Sequence, residues 1–198
     1  GCSRTDSGVH ALGFVAALRT NDSIETKKFT RAFQAFLPKD IVVYEAQEVE
    51  ADFHPRYHAK SKHYRYSIYN FKMPLPQYIR YCHYIYDSLN EEAMKQAGKF
   101  FVGEYDFVAF SSSKTTVDTT VREIYSLEVQ REGDIIHVDV VGNGFLYNMV
   151  RMIAGTLIEV GRGKVKPEEI SELILSKDRS RTKKTAPAKG LTLVEVAY

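Results

Sequence analysis

Apolar side chains recur along this chain with two different spacings, and the helical spacing predicts four helices. Between residues 25 and 37, Phe29, Ala32, Phe33 and Phe36 share one helical face, and Pro38 ends the segment. The same reading predicts helices over residues 90–102, 145–160 and 167–175. The third of these is apolar almost all round, which is typical of a helix buried in a core.

Other segments follow the alternation of a strand. In residues 58–69, Tyr64, Tyr66 and Ile68 fall on one face, while the polar residues between them take the other. Further strands are expected over residues 12–19, 41–50, 120–130, 134–141 and 191–198. The pair 120–130 and 134–141 flanks a short glycine-containing turn, which predicts a hairpin. Helices and hairpins are interspersed, so we expect an α+β fold: a mainly antiparallel sheet with helices packed on one side.

Composition narrows the class of protein. Of 198 residues, 44% are hydrophobic and 26% charged, which excludes a disordered or fibrous chain. No apolar run reaches the ~18–20 residues that a membrane-spanning helix needs, so no membrane partner is expected. Two cysteines, Cys2 and Cys82, are too few for a disulfide scaffold. They favour a reducing, cytoplasmic location.

Positive charge is concentrated in two segments. Residues 54–65 carry a formal charge of +4 and residues 177–189 carry +5, so the rest of the chain sums to −7 at a net charge of +2. Such clustering suits a polyanion such as RNA. A solvated face and a flexible loop would have the same composition.

The first eleven residues, GCSRTDSGVHA, are the most unusual candidate for chemistry. Asp6 is followed by Ser7 and Gly8, where the backbone can turn tightly, and Arg4 stands two residues before it. Asp6 is either a residue that caps this turn or a reactive carboxylate.

Arg151 lies inside the apolar helix at 145–160. A guanidinium there either reaches solvent along its stem or pairs with a carboxylate, because a lone buried charge is costly. Asp6 is a candidate partner, and such a pair favours the ionised carboxylate that a nucleophile needs. Tyr64 is either a core tyrosine or an aromatic surface on which a base stacks.

Motifs for cofactors are weak. The sequence GNG at 142–144 lacks the context of a phosphate-binding loop, and the two cysteines are too far apart for a zinc pattern. His54 and His58 are four apart, but Pro55 and strand-like surroundings argue against a helical pair of ligands. We therefore expect no metal, nucleotide or redox cofactor.

Taken together, the motifs resemble the TruA family of tRNA pseudouridine synthases along essentially the whole chain. The matching pieces occur in the family's order: GCSRTDSGVHA at 1–11, LP at 37–38, DFHPR at 52–56, YRY at 64–66, FVGEYDF at 101–107, GNGFLYNMVR at 142–151 and APAKGLTL at 186–193. Several short motifs in the correct order are far more specific than any one of them.

The resemblance implies roles for individual residues. Asp6 matches the catalytic aspartate, Tyr64 the active-site tyrosine and Arg151 the basic residue that pairs with the aspartate. Arg4 would hold the flipped nucleotide or its phosphate, and Leu191 would line the uracil pocket. Substrate contacts are further predicted for His10, Arg65, Lys183 and Lys184.

The resemblance also implies a reaction, a fold and partners. The family converts uridine to pseudouridine at positions 38 to 40 of the tRNA anticodon arm, without a cofactor or metal, and acts as a homodimer. Its fold has two similar α+β lobes with a basic cleft between them. Here residues 1–53 are expected to be the remainder of the N-terminal lobe and residues 54–198 the C-terminal lobe.

Some positions depart from the family pattern. Phe14 replaces a common glutamine, and Gln34 stands where an asparagine is usual. Family members place a strand and a helix before the aspartate motif, and the chain is expected to lack them. The two substitutions, at Phe14 and Gln34, would alter the fit of the substrate rather than the reaction.

Two other functions fit part of the pattern. Asp6-Ser7-Gly8 matches the triplet of aspartic proteases, although such a site needs two such aspartates. A catalytically incomplete tRNA-binding or RNA-folding module of the same family would keep the basic segments without turnover.

Overall fold

The computed structural model describes residues 1–21, 23–112, 118–182 and 184–198. Within these ranges the chain forms four α-helices and seven strands. The helices are α1 Thr26–Gln34, α2 Glu91–Lys99, α3 Met149–Gly161 and α4 Glu169–Leu175. The strands are β1 His10–Ala11, β2 Ser61–Asn70, β3 His83–Ile85, β4 Gly103–Asp106, β5 Val121–Glu132, β6 Ile135–Gly142 and β7 Leu191–Ala197.

The described strands form one sheet in the order β1-β7-β2-β6-β5-β4, with β3 paired to the end of β2. The pairs β2–β6, β2–β7, β4–β5 and β5–β6 are antiparallel, whereas β1–β7 and β2–β3 are parallel. This confirms an α+β chain with a mainly antiparallel sheet. The division into lobes at residue 53 stays a prediction.

Strand β2 lies at the centre of the sheet and behaves as its alternation predicts. Tyr64, Tyr66 and Ile68 are buried in the hydrophobic core. Arg65 lies on the opposite face, where its Nε donates to Asp139 Oδ1 at 2.9 Å. The hairpin β5–β6 is also confirmed, with Gly133 at φ 60° in its turn.

Helix α3 is the most buried helix, as its apolar composition predicts. Eleven of its thirteen residues are buried, and the exceptions are Arg151 and Glu159. These two lie eight residues apart on one side of the helix, with Gly155 between them. The segment 184–187, which we call the strap, covers this side: the Ala186 N–H donates to the Arg151 carbonyl at 3.0 Å.

Gly155 permits the strap to lie directly on α3. A Cβ at this position would collide with the carbonyl oxygen of Lys184, which is backbone and cannot rotate away. We expect Gly155→Ala to push the strap outward and to destabilise the fold by about 1–3 kcal/mol. Thermal unfolding measures this, with Gly144→Ala as control, because a Cβ there meets only the Arg122 side chain at ordinary contact distance. Equal melting temperatures for the two variants would contradict the close contact.

The strands predicted over residues 12–19 and 41–50 are wrong. Both segments have the right composition, but their backbones find other partners. The Gln34 side chain donates to the Ile41 carbonyl at 2.7 Å and accepts from the Val43 N–H at 2.9 Å, so a side chain of α1 replaces a neighbouring strand. After the two residues of β1, Leu12 N–H donates to the Leu193 carbonyl at 2.8 Å and the chain then leaves the sheet.

Several boundaries also differ from the prediction. Helix α3 begins at Met149 rather than at residue 145, because Asn148 has a left-handed backbone with φ 64° and ψ 5°. Helix α2 begins as predicted, after Asn90, whose side chain accepts from the Ala93 N–H at 3.0 Å, but it ends at Lys99. The short strands β3 and β4 were not predicted, since three or four residues carry too little periodicity to stand out.

Candidate active site

The loop that carries Asp6 is held at both ends. Before it, Cys2 is fully buried, and its carbonyl accepts from Lys62 Nζ at 2.7 Å. After it, the Val9 N–H donates to the Asp6 carbonyl at 3.0 Å, which closes a turn immediately before β1. Gly8 supplies the left-handed conformation of this turn, with φ 83°. Asp6 therefore lies in a short loop between two fixed points.

Asp6 pairs with Arg151, the partner predicted for it. Arg151 Nη1 donates to Asp6 Oδ2 at 2.5 Å across 145 residues of sequence. The side chains of Arg151 and Asp6 are 18% and 24% exposed. This leaves the pair partly shielded from water yet reachable by a substrate. A charge-assisted bond of this kind is stronger than one between neutral groups.

Two further acceptors fix the Arg151 guanidinium. Its Nε donates to the Ala186 carbonyl of the strap at 2.8 Å, and its Nη1 donates to Asn148 Oδ1 at 2.9 Å. With Asp6, these acceptors contact the planar guanidinium at three points. The alternative in which Arg151 reaches solvent is therefore wrong.

Tyr64 lies beside the same loop. Its hydroxyl is 2.8 Å from Ser3 Oγ, and its ring packs edge-on against Phe145 with ring centres 5.3 Å apart. The side chain is 6% exposed. Burial raises the pKa of the Tyr64 hydroxyl above its ordinary value, and the nearby Asp6 carboxylate adds to the shift. Tyr64 is thus a neutral phenol at physiological pH.

Leu191 lies in the same hydrophobic core as Tyr64. The other residues predicted to contact the substrate are spread more widely. Leu191 opens β7, is buried, and pairs with Tyr66 of β2. Arg4 is exposed and forms no ion pair with the described residues. His10 Nε2 lies 2.8 Å from the Arg80 carbonyl, and its ring packs against Tyr81.

The basic candidates do not all face Asp6. Arg65 lies on the face of β2 away from Tyr64 and is paired with Asp139. Lys184 belongs to the strap and pairs with Glu159 at 3.0 Å, with most of its side chain exposed. Lys183 lies outside the described residues.

Comparison with known proteins identifies the family to which this arrangement belongs. A family model described as tRNA pseudouridine synthase matches residues 97–198. The tRNA pseudouridine synthase A of Acetivibrio thermocellus is 48% identical over 198 residues, which cover 100% of this chain and 81% of that protein. The chain belongs to the tRNA pseudouridine synthase family. Proteins of the same name from Ruminiclostridium cellulolyticum (50% identical over 202 aligned residues) and a Thermoanaerobacter species (46% over 198) match it over the same shares.

Membership in the synthase family removes the aspartic protease alternative. The geometry agrees, because the partner of Asp6 is a guanidinium and not the second carboxylate that a protease dyad requires.

Sequence reasoning missed several residues around the Asp6–Arg151 pair. Asn148 Oδ1 and the Ala186 carbonyl of the strap both accept hydrogen bonds from Arg151. Ser3 contacts the Tyr64 hydroxyl. Asn148 carried a usable signal, since asparagine before an apolar helix is common at a helix start. Lys62 belongs to the basic segment 54–65, but its side chain is buried, and burial lowers the pKa of its ammonium group.

The described ranges contain neither a cluster of metal ligands nor a membrane-spanning helix. No cluster of three or more His, Cys, Asp or Glu side chains there is placed to hold a metal ion. No helix among the described residues is long and apolar enough to cross a bilayer.

Proposed function

We propose that this chain isomerises uridine to pseudouridine at positions 38 to 40 of the tRNA anticodon stem-loop, with Asp6 as the nucleophile. The observation that carries the proposal is the Asp6–Arg151 pair beside Tyr64, in a chain of the tRNA pseudouridine synthase family. Its relatives are named tRNA pseudouridine synthase A.

The hydrogen bonds distinguish the two oxygens of Asp6. Oδ2 accepts from Arg151, while Oδ1 accepts no hydrogen bond from the described residues. We therefore assign Oδ1 as the attacking atom, at either C1′ of the ribose or C6 of the uracil. The guanidinium orients the carboxylate without covering the oxygen that reacts.

The reaction exchanges one glycosidic bond for another. The bond between N1 and C1′ breaks, the detached uracil turns, and C5 bonds to C1′. The bond that Asp6 Oδ1 formed to C1′ or C6 then breaks, which restores the carboxylate. C5 then loses its proton and N1 gains one, so the product is an isomer and no cofactor is consumed. A target base within a helix must first leave the stack, at a cost of a few kcal/mol.

Tyr64 and Leu191 are proposed to hold the uracil. The Tyr64 ring would stack on the base, and its hydroxyl would accept the C5 proton while passing its own proton to Ser3 Oγ, 2.8 Å away, as the half-buried Ser3 hydroxyl releases its proton to water. This coupling is needed because the raised pKa keeps the hydroxyl protonated at neutral pH. Arg4, exposed at the start of the same loop, would hold the flipped nucleotide or its phosphate.

Tyr64→Phe tests the hydroxyl separately from the ring. We expect tRNA binding within threefold of the parent chain and a turnover rate lower by about 10²-fold, the usual contribution of a general base. Single-turnover release of tritium from C5 measures it. Tyr69→Phe on the same strand is the matched control, because the buried Tyr69 hydroxyl has no hydrogen-bond partner among the residues that the structure describes. Equal rates for both variants would contradict a proton-transfer role for Tyr64.

The strap and its neighbourhood are proposed to meet the tRNA backbone. Removing both Lys183 and Lys184 should weaken tRNA binding and lower the slope of log K against log salt by about 1 for each lost phosphate contact. Lys95→Ala is the control, since Lys95 lies on α2 in an ion pair with Glu91. Filter binding at several salt concentrations measures the slopes, and an unchanged slope would remove the two lysines from the interface.

The proposal also includes a homodimer, a cleft between two lobes, and tRNA contacts from His10 and Arg65, which the family resemblance implies. It further includes a cytoplasmic location, which the cysteine count favours. Light scattering tests the dimer: the mass of a single chain at assay concentration would contradict it.

A further inference from the structure

Asn148 stands at the start of α3 but does not do what asparagine usually does there. An asparagine at this position normally accepts a hydrogen bond from the first turn of the helix. Asn90 does so at the start of α2, where it accepts from the Ala93 N–H at 3.0 Å. The Asn148 side chain makes no such cap.

Instead, the Asn148 amide links two other side chains. Its Oδ1 accepts from Arg151 Nη1 at 2.9 Å, and its Nδ2 donates to Ser112 Oγ at 2.8 Å. The orientation of the amide follows from chemistry, because a guanidinium only donates and must face the amide oxygen. A left-handed backbone, with φ 64°, brings the side chain to this place.

The count of donors on Arg151 shows what this contact achieves. Nη1 has two N–H groups; one meets Asp6 and the other meets Asn148, while Nε meets Ala186. Without Asn148, the guanidinium is held only at Ala186 and Asp6. It can then turn about the bond to Ala186 and carry its Nη1 away from Asp6 Oδ2.

We propose that Asn148 is a positioning residue that acts through Arg151 to orient the Asp6 carboxylate. Ser112 supports it by holding the amide from the other side. This inference rests on the proposed function for its kinetic consequences, whereas its structural consequence is independent of any activity.

Asn148→Gly tests the side chain of Asn148 while keeping its left-handed backbone. Glycine takes a left-handed conformation without strain, so the substitution removes only the two hydrogen bonds. We expect the turnover rate to fall by about 10- to 100-fold, as small misplacements of catalytic groups do, with the KM for tRNA within threefold. Asn90→Gly is the matched control: loss of its cap should lower the melting temperature and leave the turnover rate unchanged.

A double-mutant cycle separates positioning from general structure. If Asn148 acts through Arg151, Asn148→Gly should cost much less in an Arg151→Lys background than in the parent chain. Equal costs in both backgrounds, or an unchanged rate in the single variant, would overturn the proposal.

A crystal structure of Asn148→Gly provides the readout that needs no activity. The proposal predicts that Arg151 Nη1 moves out of hydrogen-bond distance of Asp6 Oδ2. An undisturbed pair would overturn the proposal. If the parent chain itself releases no tritium from tRNA, the proposed function fails, and this structural result still decides the role of Asn148.

Discussion

Asp6→Asn is expected to abolish pseudouridine formation while the chain still folds and binds tRNA. The amide keeps the shape of the carboxylate and still offers Arg151 Nη1 an oxygen, so the pair at 2.5 Å is weakened rather than removed. The amide cannot attack C1′ or C6, and loss of a nucleophile costs roughly 10⁴-fold or more. Single-turnover tritium release, together with the dissociation constant for tRNA, measures the two effects separately.

Ser7→Ala is the control for Asp6→Asn. Ser7 is the exposed neighbour of Asp6 in the same loop, with no assigned contact to the reacting atoms. It should keep a rate within a few-fold of the parent. A rate for Asp6→Asn within tenfold of the parent would contradict the assignment of Asp6 as nucleophile.

Arg151→Met should have the second-largest effect, because it removes three hydrogen bonds at once. Asp6 loses its counter-ion, and the acceptors on Ala186 and Asn148 lose their donor. Since the pair is largely shielded from water, we expect about 2–4 kcal/mol less stability and a rate lower by about 10²- to 10³-fold. Thermal unfolding and single-turnover kinetics measure the two losses.

Arg151→Lys provides the graded comparison. Lysine keeps the positive charge near Asp6 but lacks the planar fork that reaches Asp6, Asn148 and Ala186 together. Its rate should fall between those of the parent and Arg151→Met. If Met and Lys gave the same rate, charge would contribute nothing, and the pairing argument would be wrong.

The parts of the structure that follow from local periodicity were predictable. Strand β2 alternates between buried and less buried residues from Ser61 to Tyr66, and helix α3 is buried except at Arg151 and Glu159. The Asp6–Arg151 pair was also within reach of sequence reasoning, because a charge in an apolar helix requires a partner. Family resemblance then selected Asp6 from the available carboxylates.

The parts that depend on distant contacts were not predictable. Residues 41–43 have strand-forming side chains, yet their backbone groups bond to Gln34 rather than to a strand. Lys62 lies in a basic segment, yet its side chain is buried. Its Nζ donates to the carbonyl of Cys2, sixty residues away in sequence. In both cases the outcome depends on which backbone group the fold brings near.

Asn148 shows the same limit in the candidate active site. Its residue type predicts a helix cap, and the position is indeed the start of α3. The left-handed backbone and the neighbouring Ser112 redirect its side chain to Arg151. The apolar pattern placed the start of this helix at residue 145, and the residue type of Asn148 is consistent with the observed start but does not indicate what its side chain contacts.

The central claim is tested most directly with tRNA transcripts that carry tritium at C5 of uridine. Formation of the bond between C5 and C1′ expels the label to water, so release counts isomerisation events. The account predicts release by the parent chain of one tritium for each target uridine among positions 38 to 40, and none by Asp6→Asn. Tight binding of tRNA by the parent chain without release of tritium would contradict it.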